Sequence, residues 1–159
     1  MLFPHTYAVG ASFGVIVVHT AQGMDVEVAT FREETGYADG RHPDSVHFST
    51  PERDAARRDF TINALFYDPV TKRIHDYCGG LDDLGRGLIR AIGDPLQRYR
   101  EDRLRLLRTV RFAAELRFDI DRTTWAALRQ AAADVCSVSA ERIRSELTRM
   151  LTSSAPARA

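Results

Sequence analysis

The sequence predicts an α+β protein, a short β-sheet part followed by a helical part. Three observations carry this. Period-two alternation and β-branched runs cluster in the first 50 residues, and the last strand-like segment ends near Ile92. From Pro95 onward the apolar residues recur at helical spacing. Strands first and helices after is an α+β order. At 159 residues the chain is one domain, or one and a fraction. The expected division is 1–93 for the sheet-bearing part, 94–152 for the helical part and 153–159 for a frayed tail.

The elements follow in order. Val15-Ile16-Val17-Val18-His19 is a β-branched run and Thr20-Ala21-Gln22-Gly23 a turn. Met24 to Phe31 then alternates, with Val26, Val28 and Thr30 on one face and Asp25, Glu27 and Ala29 on the other. Together they predict a hairpin. Residues 33–50 are polar, with Gly, Asp and Pro, and predict a long loop with one short strand near Val46–Phe48. Thr50-Pro51-Glu52 starts a helix that runs to Arg57: a hydroxyl at the cap, proline in the first turn, then an acid. Residues 64–68 and 73–77 are short strands around the turn Asp68-Pro69-Val70-Thr71. Gly79-Gly80 breaks the chain before a short helix and a strand near Leu88–Ile92. One helix is expected from Arg100 to Leu116, a second over 123–134 and a third over 139–151 with Ser139 as its cap. No internal repeat or low-complexity tract is present.

Composition excludes several classes. With 44% hydrophobic and 28% charged residues the chain fits a globular protein and not a disordered one. Its 22 basic and 22 acidic residues cancel, which excludes a histone-like blanket of charge but not a local patch. Resolved along the chain, residues 1–50 hold 2 basic and 6 acidic residues. Residues 51–115 hold 13 and 11, and 116–159 hold 7 and 5. All the basic residues but Lys72 are arginine, which suits phosphate and planar base recognition. Cys78 and Cys136, without a CxxC, read as ordinary thiols of a reducing cytoplasm. The N-terminus has no basic region ahead of Pro4, so it is not read as a signal peptide. No apolar run approaches the ~20 residues that cross a bilayer, so no membrane partner is expected.

Three places can carry chemistry. On the Arg100–Leu116 helix, Leu106, Leu107, Val110, Ala113 and Ala114 fall in one arc, and Asp102, Arg105 and Arg108 on the other side. That polar side is either a solvated face or an edge that hydrogen-bonds a nucleobase, an Asp acceptor beside Arg donors. Arg57-Arg58-Asp59-Phe60-Thr61-Ile62-Asn63 places two Arg, one Asp and one Asn just after a helix, either suited to a triphosphate and to ribose hydroxyls or a metal-bound water, or simply solvating a helix end. Glu27 sits in a Val-Glu-Val strand, where a carboxylate either faces water or helps to hold Mg²⁺.

Their order resembles the class II tRNA nucleotidyltransferase and bacterial poly(A) polymerase family. The matching stretches are Val26 through Arg32, Asp39-Gly40-Arg41-His42-Pro43, RRDFTINALFYDP at 57–69 and DYCGGLDDL at 76–84. Arg98-Tyr99-Arg100-Glu101-Asp102-Arg103-Leu104-Arg105, RTVRFAAEL at 108–116 and Ser139 through Leu147 complete the set. RRDFTIN and EDxxR followed by RxxRFAAEL are the specific strings, and about residues 12–152 are covered.

The resemblance implies a polymerase-β-like nucleotidyltransferase head, in part, followed by an α-helical neck. It implies template-independent addition of CTP- and ATP-derived nucleotides to RNA 3′ ends, tRNA CCA addition first and poly(A) addition second, with Mg²⁺ as cofactor. On that basis Glu27 is the third active-site carboxylate and a metal ligand. Arg58, Asp59 and Asn63 handle the ribose and phosphates. Asp102 and Arg105 read the Watson–Crick edge of CTP or ATP. Arg108 and Arg111 supply positive charge to the triphosphate or prop the pocket.

The family's Gly-Gly-x-x-Arg-Asp turn followed by a DxD metal pair is not in this chain, and the nearest glycine loop is Gly10-Ala11-Ser12-Phe13-Gly14. The resemblance therefore implies a chain truncated at both ends that does not transfer nucleotides by itself. The competing readings are a non-catalytic nucleotide- or RNA-binding remnant and a helical interaction module.

Overall fold

The computed structural model describes residues 3, 5–10, 14–37, 44–153 and 155–156. The Asp39-Gly40-Arg41-His42-Pro43 stretch, residues 11–13 of the glycine loop, and residues 154 and 157–159 of the expected tail lie outside the described residues.

Thr6–Gly10 (β1), Val15–His19 (β2) and Asp25–Ala29 (β3) form an antiparallel sheet in the order β1-β2-β3. The β2–β3 pair is the predicted hairpin, with Val17 opposite Glu27 and His19 opposite Asp25. β1 is not apparent in the sequence because it is short and its pairing shifts register between Tyr7 and Gly10. The alternation of β3 does not translate into burial: all five of its side chains are exposed, and Val18 on β2 is the buried one.

Arg32–Thr35 (β4) pairs antiparallel with Ser45–Phe48 (β5). Part of the expected long loop is thus a hairpin. The charges of Arg32-Glu33-Glu34 hide β4 in the sequence, and the next element explains them. Pro51–Ala56 (α1) carries Arg53, which reaches Glu33 at 2.6 Å, and is followed by Arg57, which reaches Glu34 at 2.9 Å. The Tyr37 hydroxyl also donates to Glu34 at 2.6 Å, and burial beside that carboxylate raises its pKa.

A 3-10 turn at Thr61–Asn63 leads into the antiparallel pair Leu65–Asp68 (β6) and Arg73–Asp76 (β7), as expected. Gly80–Arg86 (α2) follows. Its first residue lies against the 3-10 turn, where a Cβ on Gly80 would fall 2.2 Å from the Thr61 carbonyl oxygen. Backbone cannot yield as a side-chain tip can. Gly80→Ala is therefore expected to cost about 1–3 kcal/mol of stability, as overpacking does. A urea midpoint equal to the parent's would contradict this.

Leu88–Ile89 (β8) pairs in parallel with Asp119–Ile120 (β9) and ties the helical part back to the chain before it. The helices are Pro95–Glu101 (α3), Leu104–Leu116 (α4), Arg122–Ala131 (α5), extended by a 3-10 stretch at Ala132–Ser137, and Ala140–Leu151 (α6). The single helix expected from Arg100 to Leu116 is broken: Asp102 is extended, at φ −144° and ψ 106°. Its carboxylate accepts from the Leu104 amide at 3.1 Å, so it closes α3 and opens α4.

The buried side of α4 also differs from the apolar arc. Leu106 and Ala114 are buried, but so are Arg105, Thr109 and Arg111. Leu107, Val110 and Ala113 are only half-buried. Thr109 fits because it donates to the Arg105 carbonyl at 2.7 Å and meets the Tyr99 hydroxyl at 3.0 Å. One core cluster holds Ala55, Ala64 and Ile92 with Phe66 and Cys78. A second holds Tyr99, Leu106 and Ala127 with Leu96, Leu128 and Ala131. No helix among the described residues is long and apolar enough to cross a membrane.

Candidate functional site

The segment after α1, the break between α3 and α4, α4 itself and α6 converge on a cavity of about 530 Å³. Arg57, Arg58, Asp59 and Asn63 enter from the first, and Asp102 from the second. Leu104, Arg105, Arg108 and Phe112 come from α4, and Arg142 from α6.

Asp54, buried in α1, organises the first wall. One carboxylate oxygen accepts from Arg57 Nε and Nη2 at 3.0 and 2.6 Å, the other from Arg58 Nε and Nη2 at 3.1 and 2.9 Å. The Arg32 amide adds a bond at 3.2 Å. Burial pushes the Asp54 pKa up, but these donors outweigh it and hold the carboxyl below its ordinary value. The second fork of Arg58 donates to the Asn63 carbonyl at 2.8 Å, and its guanidinium lies 4.7 Å from the Phe66 ring centroid.

Asp59 ties this wall to α4. One oxygen accepts from Arg108 at 2.8 and 2.6 Å, the other from the Phe60 amide at 2.9 Å and the Asn63 side chain at 3.0 Å. Its acceptor sites are thus occupied by the protein, and its direct effect is to aim Arg108. Arg108 is 30% exposed and spans Asp59 and the Phe112 ring, 5.2 Å away.

Asp102 and Arg105 form the third wall. Arg105 is held by Glu101 at 2.9 Å and by the carbonyls of Arg98 and Arg57 at 3.2 and 3.0 Å. Asp102 is engaged across the cavity by Arg142 Nη2, at 3.2 and 3.1 Å to its two oxygens. Five guanidinium groups against two carboxylates give the lining an excess of positive charge, suited to a polyphosphate. A single aromatic ring and an Asp–Arg pair give it the means to orient a planar base.

The structure therefore brings Arg58, Asp59, Asn63, Asp102, Arg105 and Arg108 to one cavity. Arg111 is not among its lining residues. It is buried between α4 and α6, 2.5 Å from Glu146 and 2.6 Å from Glu115, with its guanidinium 4.0 Å from the Phe112 ring centroid. Its guanidinium backs the Phe112 ring, which does line the cavity. Glu27 is exposed on β3 and is also absent from the lining. Asp25, on the same face of that strand, is taken by His19 at 2.7 Å. No group of three or more His, Cys, Asp or Glu among the described residues is placed to hold a metal ion. Sequence reasoning missed Phe112 and Arg142 as lining residues and Asp54 as the organiser of Arg57 and Arg58. The signal for Arg142 was its place in the Ser139–Leu147 stretch; Asp54 looked like an ordinary first-turn acid.

Residues 1–90 match the family described as "Poly A polymerase head domain", and residues 117–159 match one described as "Probable RNA and SrmB- binding site of polymerase A". The chain is 42% identical to the CCA-adding enzyme of Pediococcus pentosaceus over 159 residues, which covers 99% of this chain and 39% of that enzyme. Among solved structures it is similar to the Bacillus stearothermophilus CCA-adding enzyme in complex with CTP, at 38% identity and a TM-score of 0.86, covering 98% of this chain and 37% of that one. It is also similar to the Thermotoga maritima CCA-adding enzyme complexed with tRNA, at 26% identity and a TM-score of 0.77, covering 99% of this chain and 35% of that one. The chain thus spans about two fifths of the curated relative's length, or 39%.

Proposed function

Because the chain belongs to the poly(A) polymerase head-domain family, we propose that it is the nucleotide-recognising part of a template-independent RNA nucleotidyltransferase. The reaction adds CTP- and ATP-derived nucleotides to RNA 3′ ends, with the tRNA 3′ end as the first substrate and poly(A) addition as the runner-up. The observation that carries this reading is the juxtaposition of Asp102 and Arg105 with the guanidinium-lined wall of one cavity.

In this reading, Arg105 and Asp102 present donor and acceptor to the base edge. Asp102 swings from Arg142 to the base, or keeps one oxygen on each. Arg58 and Arg108 face the phosphates, and Asn63 the ribose. Residues 1–93 act as the head and 94–152 as the neck. The two cysteines, free in the structure, fit a reducing cytoplasm.

The family's transfer chemistry draws on divalent cations, Mg²⁺ by expectation, which stabilise the attacking and leaving oxygens. Such ions need two or more carboxylates around them. Glu27 by itself does not meet that need, so the described residues fit the nucleotide and not the metal.

Calorimetric titration with ATP and CTP tests the reading. Both are expected to bind. Arg105→Ala should weaken them by about 1–3 kcal/mol, the cost of leaving a buried base edge unpaired. Arg108→Gln, at a more exposed position, should weaken the triphosphates more than the nucleosides. Equal binding by both variants and the parent refutes the cavity as the nucleotide site. No binding by the parent leaves the helical interaction module.

A second reading, nucleotide binding without transfer, rests on the absence of Glu27 from the cavity lining. Incubation with Mg²⁺, labelled ATP or CTP and tRNA separates the two. Incorporation supports transfer, and binding without incorporation supports the second reading.

A further inference from the structure

On the outer side of α5 lies a surface that shares no lining residue with the nucleotide cavity. The chain's one tryptophan, Trp125, is there and is 46% exposed. Arg122 precedes it by three residues and Arg129 follows it by four, so all three fall on one face of the helix. Both arginines are exposed. Neither makes an ion pair or hydrogen bond to another described residue, unlike the cavity arginines. Beside the indole is a cleft of about 390 Å³, floored by Ala113, Phe118 and Ile120, with Asp119 at its edge.

We propose that this face is a stacking site for an unpaired base of single-stranded RNA. An exposed indole over an apolar floor offers a π-face to any base, and flanking cations neutralise the adjoining phosphates. The opposite side of α5 is anchored, with Thr124 and Ala127 buried and Leu128 packed on the Tyr99 cluster, so the platform is presented on a fixed helix. The flanking groups select RNA over protein. Here the indole is bracketed by two unpaired guanidinium groups, a pattern complementary to a polyanion. The proposal rests on the transferase reading only for the identity of the RNA as acceptor; the stacking surface itself does not depend on it.

Because Trp125 is the only tryptophan, its fluorescence reports on this site alone. Titration of the full chain with a short single-stranded oligoadenylate is expected to quench it. Duplex RNA, whose bases are already stacked, is not, and neither is ATP or CTP bound in the cavity. Followed by anisotropy of a labelled oligoadenylate, Trp125→Leu should weaken RNA binding roughly tenfold, and Trp125→Phe, which keeps a ring, less. Exchanging Arg122 and Arg129 for Gln should lower the slope of log affinity against log salt by about 1.4. ATP and CTP affinity should stay unchanged in Trp125→Leu. An unquenched Trp125 at saturating oligoadenylate, or equal RNA affinity in Trp125→Leu, overturns the proposal and leaves the face to a protein partner. Loss of ATP and CTP binding by Arg105→Ala with RNA quenching retained upholds both sites. RNA quenching in a parent that binds no nucleotide removes the cavity reading alone.

Discussion

Glu146→Ala is expected to lower folding stability by about 3–5 kcal/mol, the cost of leaving a buried charge without its partner. Arg111 is 2% exposed and Glu146 5%, and they meet between α4 and α6. Among the described residues, Glu115, on the same helix as Arg111, is the one counter-charge that would remain, and it is more exposed. The consequence reaches the cavity by two routes. Arg111 backs Phe112, and α6 carries Arg142, which engages Asp102. ATP and CTP binding should therefore fall with stability. Replacing both partners at once, Arg111→Met with Glu146→Leu, should recover most of the loss, because an apolar pair of similar size needs no counter-ion. Urea unfolding of the two variants measures this. A loss below about 1 kcal/mol in Glu146→Ala would place the pair among surface-like bridges and defeat the prediction.

The second large effect is expected from Asp54→Asn. Asp54 is 2% exposed, and its two oxygens hold Arg57 and Arg58 and anchor the Arg32 amide. With the negative charge gone, Arg58 loses its counter-ion and Arg57 keeps only Glu34 among the described residues. Stability should fall by roughly 3 kcal/mol at neutral pH. The pH dependence follows from the lowered carboxyl. Its folded pKa lies below its unfolded one, so its stabilisation is complete above the unfolded value of about 3.9 and is lost as pH falls through the folded value. The parent's melting temperature should drop on that acid limb and approach that of Asp54→Asn, which lacks this contribution throughout. A constant gap between the two down to the acid limit would show that Asp54 is not the titrating group.

Much of the local structure was legible. The hairpins β2–β3 and β6–β7 follow from β-branched runs and turn residues a few positions apart, and the start of α1 from Thr50-Pro51. The site was legible as strings, because a helix followed by a tight turn brings Arg57 through Asn63 together without help from the rest of the chain. What was not legible depends on partners far away in sequence. The chain through Asp102 is continuous with helical spacing on both sides, yet it breaks there, and Arg142, forty residues on, engages the released side chain. β8 and β9 are two residues each and become strands only by meeting each other. Glu33 and Glu34 look like loop acids until the arginines of α1 and the residue after it are placed opposite them.

By itself, then, the sequence determined the α+β order, the family and the chemical character of the site, since periodicity, turn chemistry and motif spacing are properties of neighbouring residues. Which of the arginines face the cavity was decided only in the tertiary structure. Arg105, Arg108 and Arg111 are alike in type and lie within two turns of one helix. They differ in whether Glu101, Asp59 or Glu146 stands opposite. A buried guanidinium goes where its counter-ion is, and that position is set by the packing of other segments against α4.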